Sequence, residues 1–235
     1  MYALADQVIC LSEYTRQLLI TEYHIPPLKI ARICNGLDDE AVILTEADQV
    51  ELKKQLGFAG TDKIILYAGR LEDNKGVDVL IRAFNRVVAG YPACRLVIVG
   101  DGEQATRYMQ EVKGCWGKVV FTGRLEKGDL YRFYQAADLG VIPSMHEQCS
   151  FVIMEMMMFA LPVIATAVRG LDEMITDGVN GWKIPVIEKE NVVEIPEESL
   201  KEKVTGFLSG DLIADKNKIR AVYQDNYTIT RMKES

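Results

Sequence analysis

Short runs of apolar, often β-branched residues alternate along the chain with segments whose apolar positions recur every three or four residues. The runs predict strands at 64–68, 96–99, 119–122, 139–142 and 163–166, with a weaker candidate at 182–185. They are apolar almost throughout instead of alternating with polar positions. This pattern is typical of strands that are covered on both faces.

The segments between these strands carry helical patterns. In the segment 77–88, six apolar residues share one helical face: Val77, Leu80, Ile81, Phe84, Val87 and Val88. The segment 130–137 repeats this spacing. Regular alternation of strands and helices predicts an α/β fold with a doubly wound, Rossmann-like parallel sheet. Such sheets bind ligands beyond the carboxyl ends of their strands, so the loops after the strands are the candidate functional segments.

The two ends of the chain follow a different pattern. Near the start, a strand is predicted over 6–11, then a helix that Ser12 can cap and that runs to about Tyr23, then a strand over 30–34. Beyond the last strand, 186–196 is polar and is predicted to be irregular. Helices are predicted at about 197–208 and 216–225.

Composition and charge narrow the function classes. The chain has 49% hydrophobic and 26% charged residues, as an ordinary globular protein does. Its 27 basic and 34 acidic side chains give a net charge of −7. This argues against a nucleic-acid binder, because such binding depends on Lys and Arg neutralising phosphates. The five cysteines lack zinc-ligand spacing, so we expect free thiols.

No basic, apolar leader opens the sequence. The longest apolar stretch, 151–168, contains Glu155 and is broken by Pro162, so it falls short of the roughly 18 apolar residues of a membrane span. We therefore expect a cytoplasmic protein, with peripheral contact at the inner face of a membrane left open.

Two cations share the loop after the first central strand. Arg70 and Lys75 lie between Gly69 and Gly76, and a predicted helix follows. Fixed cations beside the N–H groups of a helix start form a site suited to a diphosphate. Two solvated loop charges are an equally weighted alternative.

Two carboxylates follow the fourth central strand. Glu147 lies in the loop, and a helix from about Ser150 would carry Glu155 on its second turn. Glu155 lies in the apolar run 152–158, where a purely solvent-exposed carboxylate is unusual. Since a carboxylate accepts two hydrogen bonds, either residue could hold vicinal hydroxyls of a sugar. Ordinary surface carboxylates are the alternative.

The stretch 147–155 resembles the E-x7-E motif of family 4 retaining glycosyltransferases, which have the GT-B fold. The stretches 67–71 and 75–76 resemble that family's "GRL…KG" loop, and 97–102 its "IVGDG" turn. Further similarity, at 161–166 and onward, extends the resemblance from residue 6 to about residue 232.

The resemblance implies a set of catalytic residues. Arg70 and Lys75, in the turn opened by Gly69, would bind the donor diphosphate and stabilise the charge that develops on it. Glu147 would hold hydroxyls of the transferred sugar. The nucleoside-diphosphate sugar is then a substrate, and no cofactor is implied. An Arg/Lys pair can stabilise the developing charge without a metal, and no Asp-x-Asp triplet occurs in the chain, so we expect no metal.

The resemblance also implies the remaining donor contacts. Glu155 would hold the ribose hydroxyls, and Arg124 and Leu125 would lie near the base. Backbone N–H groups would meet the sugar or phosphate at Cys149, Ser150 and Phe151. Here Gln148-Cys149-Ser150 replaces the small residues that are common in the family, which leaves the donor sugar open.

By the same resemblance, residues 1–37 are the end of a mostly absent N-terminal acceptor domain plus a linker. Residues 38–187 are the donor domain, and 188–235 are helices that cross back to the missing N-terminal domain. We expect the donor-binding half of a retaining glycosyltransferase of polysaccharide or glycoconjugate synthesis, inactive alone, with the acceptor unknown. The alternative is a non-catalytic nucleotide-sugar-binding module. A nicotinamide-dependent oxidoreductase is disfavoured, because G-x-G-x-x-G is absent after the first strand.

Overall fold

The computed structural model describes residues 5–189 and 192–234, and a parallel sheet of six strands forms its centre. In chain order these strands are β3 (Lys63–Ala68), β4 (Cys94–Val99), β5 (Val119–Gly123), β6 (Leu139–Ile142), β7 (Val163–Thr166) and β8 (Gly181–Ile184). Their spatial order is β5-β4-β3-β6-β7-β8. The chain moves outward from β3 to β5, returns to place β6 beside β3, and moves outward again, so the topology switches between β3 and β6.

Helices cover both faces of the sheet. They are α2 (Glu46–Gln55), α3 (Val77–Val87), α4 (Ala105–Glu111), α5 (Lys127–Ala136), α6 (Phe151–Met158), α7 (Leu171–Met174), α8 (Glu197–Ser209), α9 (Lys216–Asn226) and α10 (Ile229–Glu234). Side chains of β3 alternate between two apolar cores: Ile64 and Leu66 face α5, α6 and α9, whereas Ile65 and Tyr67 face α3, α4 and α8. The predicted doubly wound α/β fold is confirmed.

The apolar runs located the central strands well, because strands that are buried on both faces need continuous apolar sequence. All six agree with prediction to within two residues at each end. Helices α2 and α4 were not predicted. In α2 the only buried positions are Leu52 and Lys53, so its sequence shows no apolar stripe.

The prediction of an irregular segment at 186–196 is wrong. Strands β9 (Ile187–Lys189) and β10 (Val192–Glu194) pair antiparallel there. Most of their residues are exposed, so the sequence lacks the apolar alternation that betrays a half-buried strand.

Strand β1 (Val8–Cys10), helix α1 (Glu13–Thr21) and strand β2 (Ile30–Arg32) form a small unit beside the main sheet. The two strands are parallel, and a separate apolar cluster lies between them and the helix. Ser12 caps α1 as predicted, its hydroxyl accepting from the amide of Thr15.

The far end of the chain returns to this region. Leu37 donates its amide to the carbonyl of Tyr227 at 2.9 Å and accepts from the amide of Ile229 at 3.1 Å. Within residues 5–189 and 192–234, no helix combines the length and apolarity needed to cross a bilayer.

Candidate functional site

The loops that follow β3 and β6 meet at the switch point of the sheet. Lys75 comes from the first loop and Glu147 from the second, and Lys75 Nζ donates to Glu147 Oε1 at 2.6 Å. The two side chains are 12% and 24% exposed. An ion pair thus stands where open α/β sheets place their ligands.

Gly76 explains how the two loops come so close. It adopts a left-handed backbone, φ +63°, and a Cβ added there would lie 2.1 Å from the carbonyl oxygen of Pro143. The amide of Met145 also donates to the carbonyl of Asn74 at 2.8 Å. A side chain at residue 76 would separate the loops, so this glycine is a precondition for the pairing of Lys75 with Glu147.

The loop that carries Glu147 is supported from its other side by the segment after β7. Gly170 has φ +88°, and a Cβ there would lie 2.4 Å from the carbonyl oxygen of Gln148. The hydroxyl of Thr166 donates to the carbonyl of Ser144. The Ser144 hydroxyl in turn lies 3.5 Å from Glu147 Oε1. Glu147 is therefore held between two neighbouring strand ends.

A cleft of about 980 Å³ opens in front of this pair. Three parts of the chain line it: Lys75, Glu147 and their loops form the first wall, α1 the second, and the hairpin β9–β10 the third. Its volume is in the range of pockets that hold drug-sized ligands.

Arg70 lines the same cleft but is placed differently from Lys75. It pairs with Glu72 at 2.6 Å, and its side chain is 72% exposed. A surface pair of this kind is weak in water, so Arg70 can leave Glu72 for an anionic ligand at low cost. Gly69, one residue earlier, donates its amide to the carbonyl of Val99 and ties the loop to β4.

Glu155 lies on the second turn of α6, as predicted, but outside the residues that line the cleft. Its Oε2 accepts from the hydroxyl of the buried Tyr134 at 2.8 Å. Burial raises the pKa of Glu155, while the Tyr134 hydrogen bond and the charge of Lys127 lower it in part. The two glutamates of the motif thus have different surroundings.

Two further predicted residues follow β5, at the other side of the switch point. Arg124 is exposed, and Leu125 packs against the core that contains α5 and α6. Neither lines the cleft in front of Lys75.

The three residues at the start of α6 also differ from one another. Cys149 and the half-exposed Phe151 line the cleft. Burial raises the pKa of the Cys149 thiol to about 11, so it is neutral at physiological pH. Ser150 is buried and caps the helix, its hydroxyl accepting from the amide of Ile153 at 3.4 Å. The Ser150 amide faces the sulfur of Met174.

Part of the cleft is lined by residues that no sequence motif indicated. Tyr14 and Thr15 of α1, Arg169 after β7, and Glu188 of β9 all line it. These positions are separated by up to 174 residues in sequence, and no local motif links them. In the described part of the chain, no three His, Cys, Asp or Glu side chains are grouped so as to hold a metal ion.

The family described as "Glycosyl transferases group 1" matches residues 48–220. An uncharacterized glycosyltransferase of Methanocaldococcus jannaschii is 32% identical over 185 residues, covering 76% of this chain and 47% of that protein. Mannosylfructose-phosphate synthase of Agrobacterium fabrum is 30% identical over 203 residues, covering 82% and 44%. The chain therefore spans about half the length of the curated relatives it matches.

Solved structures share the fold. Anabaena Alr3699/HepE, in complex with UDP and glucose, superimposes with a TM-score of 0.82 at 21% identity, covering 98% of this chain and 61% of that protein. Sucrose-phosphate synthase from Thermosynechococcus elongatus gives a TM-score of 0.80 at 23% identity, covering 97% and 56%.

Proposed function

Because the chain belongs to the group 1 glycosyltransferase family, we propose that it forms the donor-binding part of a retaining glycosyltransferase. The reaction moves a sugar from a nucleoside-diphosphate sugar to an acceptor hydroxyl, in polysaccharide or glycoconjugate synthesis. The chain spans about half of its relatives' length, and the proposal assigns it the donor site only.

The observation that carries this proposal is the Lys75–Glu147 pair at the switch point. A lysine ammonium has three donors, and Glu147 accepts one of them. The remaining two serve oxygens of a diphosphate that enters the cleft. When the bond from the sugar to phosphate breaks, negative charge develops on the diphosphate, and a fixed cation stabilises it without reorganisation.

Glu147 has two tasks in this mechanism. It orients the Lys75 ammonium, and its second carboxylate oxygen accepts from hydroxyls of the transferred sugar. Arg70, which is more exposed than Lys75, adds a second cation to the diphosphate. Positioning the reacting groups together in this way removes much of the entropic part of the barrier.

The nucleoside lies on the β4–β5 side of the diphosphate, where the base meets the loop of Arg124 and Leu125. Glu155 holds the ribose hydroxyls, with Tyr134 orienting its carboxylate. The structural neighbours described as complexes with UDP and with UDP-glucose make uridine diphosphates the first donors to test.

Calorimetric titration of the chain with UDP, GDP and ADP, each at the same salt concentration, tests the donor site. We expect one nucleoside diphosphate to bind, and we expect Lys75→Ala to abolish or strongly weaken that binding. Lys54→Ala is the matched control, since Lys54 pairs with Glu51 on the exposed face of α2. Equal binding by both variants would remove Lys75 from the donor site.

Joining the chain to the remaining part of the enzyme separates two outcomes. Transfer of sugar supports the enzyme, whereas donor binding without transfer or donor hydrolysis supports a non-catalytic nucleotide-sugar-binding module.

A further inference from the structure

Glu173 of α7 holds the first turn of α1, although the two helices are about 160 residues apart in sequence. Its Oε2 accepts from the amide of Glu13 and its Oε1 from the amide of Tyr14, both at 2.8 Å. Arg32 of β2 approaches Oε2 at 3.3 Å. A carboxylate that accepts two N–H bonds at a helix start forms charge-assisted hydrogen bonds and complements the helix dipole.

This contact completes the hydrogen bonding of the helix start. The next two amides of α1 are satisfied locally, because Thr15 donates to the hydroxyl of Ser12 and Arg16 donates to its carbonyl. Among the described residues, Glu173 is the hydrogen-bond partner of the amides of Glu13 and Tyr14. The orientation of α1 against the sheet is thus set by a residue of the sheet's own helical layer.

Arg169 makes a second contact from the same short segment. Its guanidinium lies over the ring of Tyr14, 4.7 Å from the centroid, and it pairs with Glu188 of β9 at 3.1 Å. In the segment after β7, Glu173 therefore contacts α1, and Arg169 contacts both α1 and the hairpin. These are the second and third walls of the cleft.

The order of the strands indicates which part of a donor would face α1. Arg124 follows β5, Lys75 follows β3, Glu147 follows β6 and Arg169 follows β7, and these strands lie in the sheet in that same order. With the diphosphate on Lys75 and the base toward β5, the part of the donor on the other side of the diphosphate points toward β6 and β7. That part is the transferred sugar.

We infer that α1 is the sugar-facing wall of the donor cleft and that Glu173 is the positioning residue that holds this wall in place. The inference rests on the proposed function, since it needs the diphosphate on Lys75. Tyr14 and Thr15 line the cleft, where they contribute to the choice of sugar. The donor domain thereby sets the position of a specificity element that the preceding segment supplies.

The test compares two ligands that differ only in the sugar. Affinities are measured for UDP and for whichever of UDP-glucose, UDP-galactose and UDP-N-acetylglucosamine binds the wild-type chain tightest. The variants are Glu173→Ala, which removes both acceptors, and Glu173→Gln, which retains one. Asp172→Ala is the matched control, because Asp172 lies on the same helix but pairs with Lys183 at 2.7 Å.

We expect the UDP-sugar affinity to fall about tenfold or more in Glu173→Ala, because a misplaced wall loses its contacts with the sugar. The affinity for the UDP-sugar should fall less in Glu173→Gln and should equal that of the wild type in Asp172→Ala. The affinity for UDP should stay within about twofold of the wild type in all three variants. Hydrogen exchange supplies an independent readout: the amides of Glu13 and Tyr14 should lose protection in Glu173→Ala while the amides of β3 keep theirs.

The proposal is overturned if UDP and the UDP-sugar weaken in parallel, if neither changes, or if exchange at Glu13 and Tyr14 is unaltered. If the wild-type chain binds GDP or ADP instead of UDP, the same comparison is made with that nucleotide and its sugars. Failure of the proposed function is seen separately, because the wild-type chain would then bind none of UDP, GDP and ADP.

Discussion

Both ends of the central sheet carry a lysine–carboxylate pair with nearly the same geometry. At the amino end Lys53 Nζ lies 2.7 Å from Asp138 Oδ2, and at the carboxyl end Lys75 Nζ lies 2.6 Å from Glu147 Oε1. Distance alone does not distinguish them. Their surroundings do, and the difference separates a charge that holds the fold together from a charge that is available to a ligand.

The amino-end pair is enclosed by other partners. Lys53 also donates to the carbonyl of Asp62 at 2.8 Å, and Asp138 accepts from the amide of Ile64 and from Lys63. The side chains of Lys53 and Asp138 are only 5% and 12% exposed. A buried pair with most of its hydrogen bonds met stabilises neighbouring strands and offers little to a ligand.

The carboxyl-end pair has spare capacity and space. The bond to Glu147 is the one described for the Lys75 ammonium, and a cleft of about 980 Å³ lies in front of it. A charge that is available to a ligand therefore differs from a structural one in its unused donors beside a cavity, and not in the length of its ion pair.

Breaking the amino-end pair gives the largest expected effect on stability. Lys53→Met leaves Asp138 buried without its closest cation and should lower the free energy of unfolding by about 3–5 kcal/mol. Urea unfolding measures this, with Lys54→Met on the exposed side of the same helix as the control. Donor affinity, measured where the variant is still folded, should not change; a loss of donor affinity there would contradict the structural role.

Breaking the carboxyl-end pair should have the opposite result, a large loss of activity with a small loss of stability. Lys75→Ala should lower the transfer rate of the complete enzyme on the order of 10²–10³-fold, by analogy with loss of an oxyanion donor. Its unfolding free energy should shift far less than that of Lys53→Met. Arg70→Ala should lower the transfer rate by about fivefold at most, because Arg70 is largely exposed to solvent and an exposed cation contributes little. Steady-state kinetics and urea unfolding on the same preparations decide; full activity in Lys75→Ala would refute the catalytic role.

Removing the buried carboxylate of Glu155 should have a smaller effect on the unfolding free energy, and of opposite sign. Because burial raises its pKa, the folded state holds the proton more tightly than the unfolded chain does. The unfolding free energy therefore falls as pH rises from the ordinary carboxyl pKa through the raised one. Glu155→Gln should be more stable than wild type at pH 7, with no gain below about pH 4, where both states are protonated.

The same variant should bind the nucleoside diphosphate more weakly, because an amide replaces the carboxylate that is proposed to hold the ribose. Thermal unfolding across pH and calorimetric titration measure the two effects. A stability gain with unchanged nucleotide affinity would leave Glu155 as a packing residue and remove it from the donor site.

The sheet was predictable because its signal is local. Each central strand is a continuous apolar run, and each of the two predicted amphipathic helices repeats its apolar positions within a few turns. Helix α2 escaped prediction because it is polar on nearly all sides. The hairpin β9–β10 escaped because it lies exposed at the cleft. Elements that bury little leave little trace in the pattern.

The candidate site divides in the same way. Lys75 and Glu147 could be named from their motifs, and the fold brings them together. The resemblance also named the backbone N–H of Ser150, which in this structure is directed at the sulfur of Met174 at 3.3 Å. The contact between Glu173 and α1 had no precursor in the sequence pattern, because it joins two segments that no motif connects.

By itself, the sequence determined the alternation of strands and helices, the positions of the turns, and which loops carry charge. Hydrophobic periodicity encodes these features within a few residues. Two features depend on the tertiary structure: Lys53 has two acceptors whereas Lys75 has one and lines the larger cleft, and Glu173 holds the start of α1. Those outcomes depend on how distant segments pack, since packing determines which hydrogen-bond donors remain unused and where space is left for a ligand.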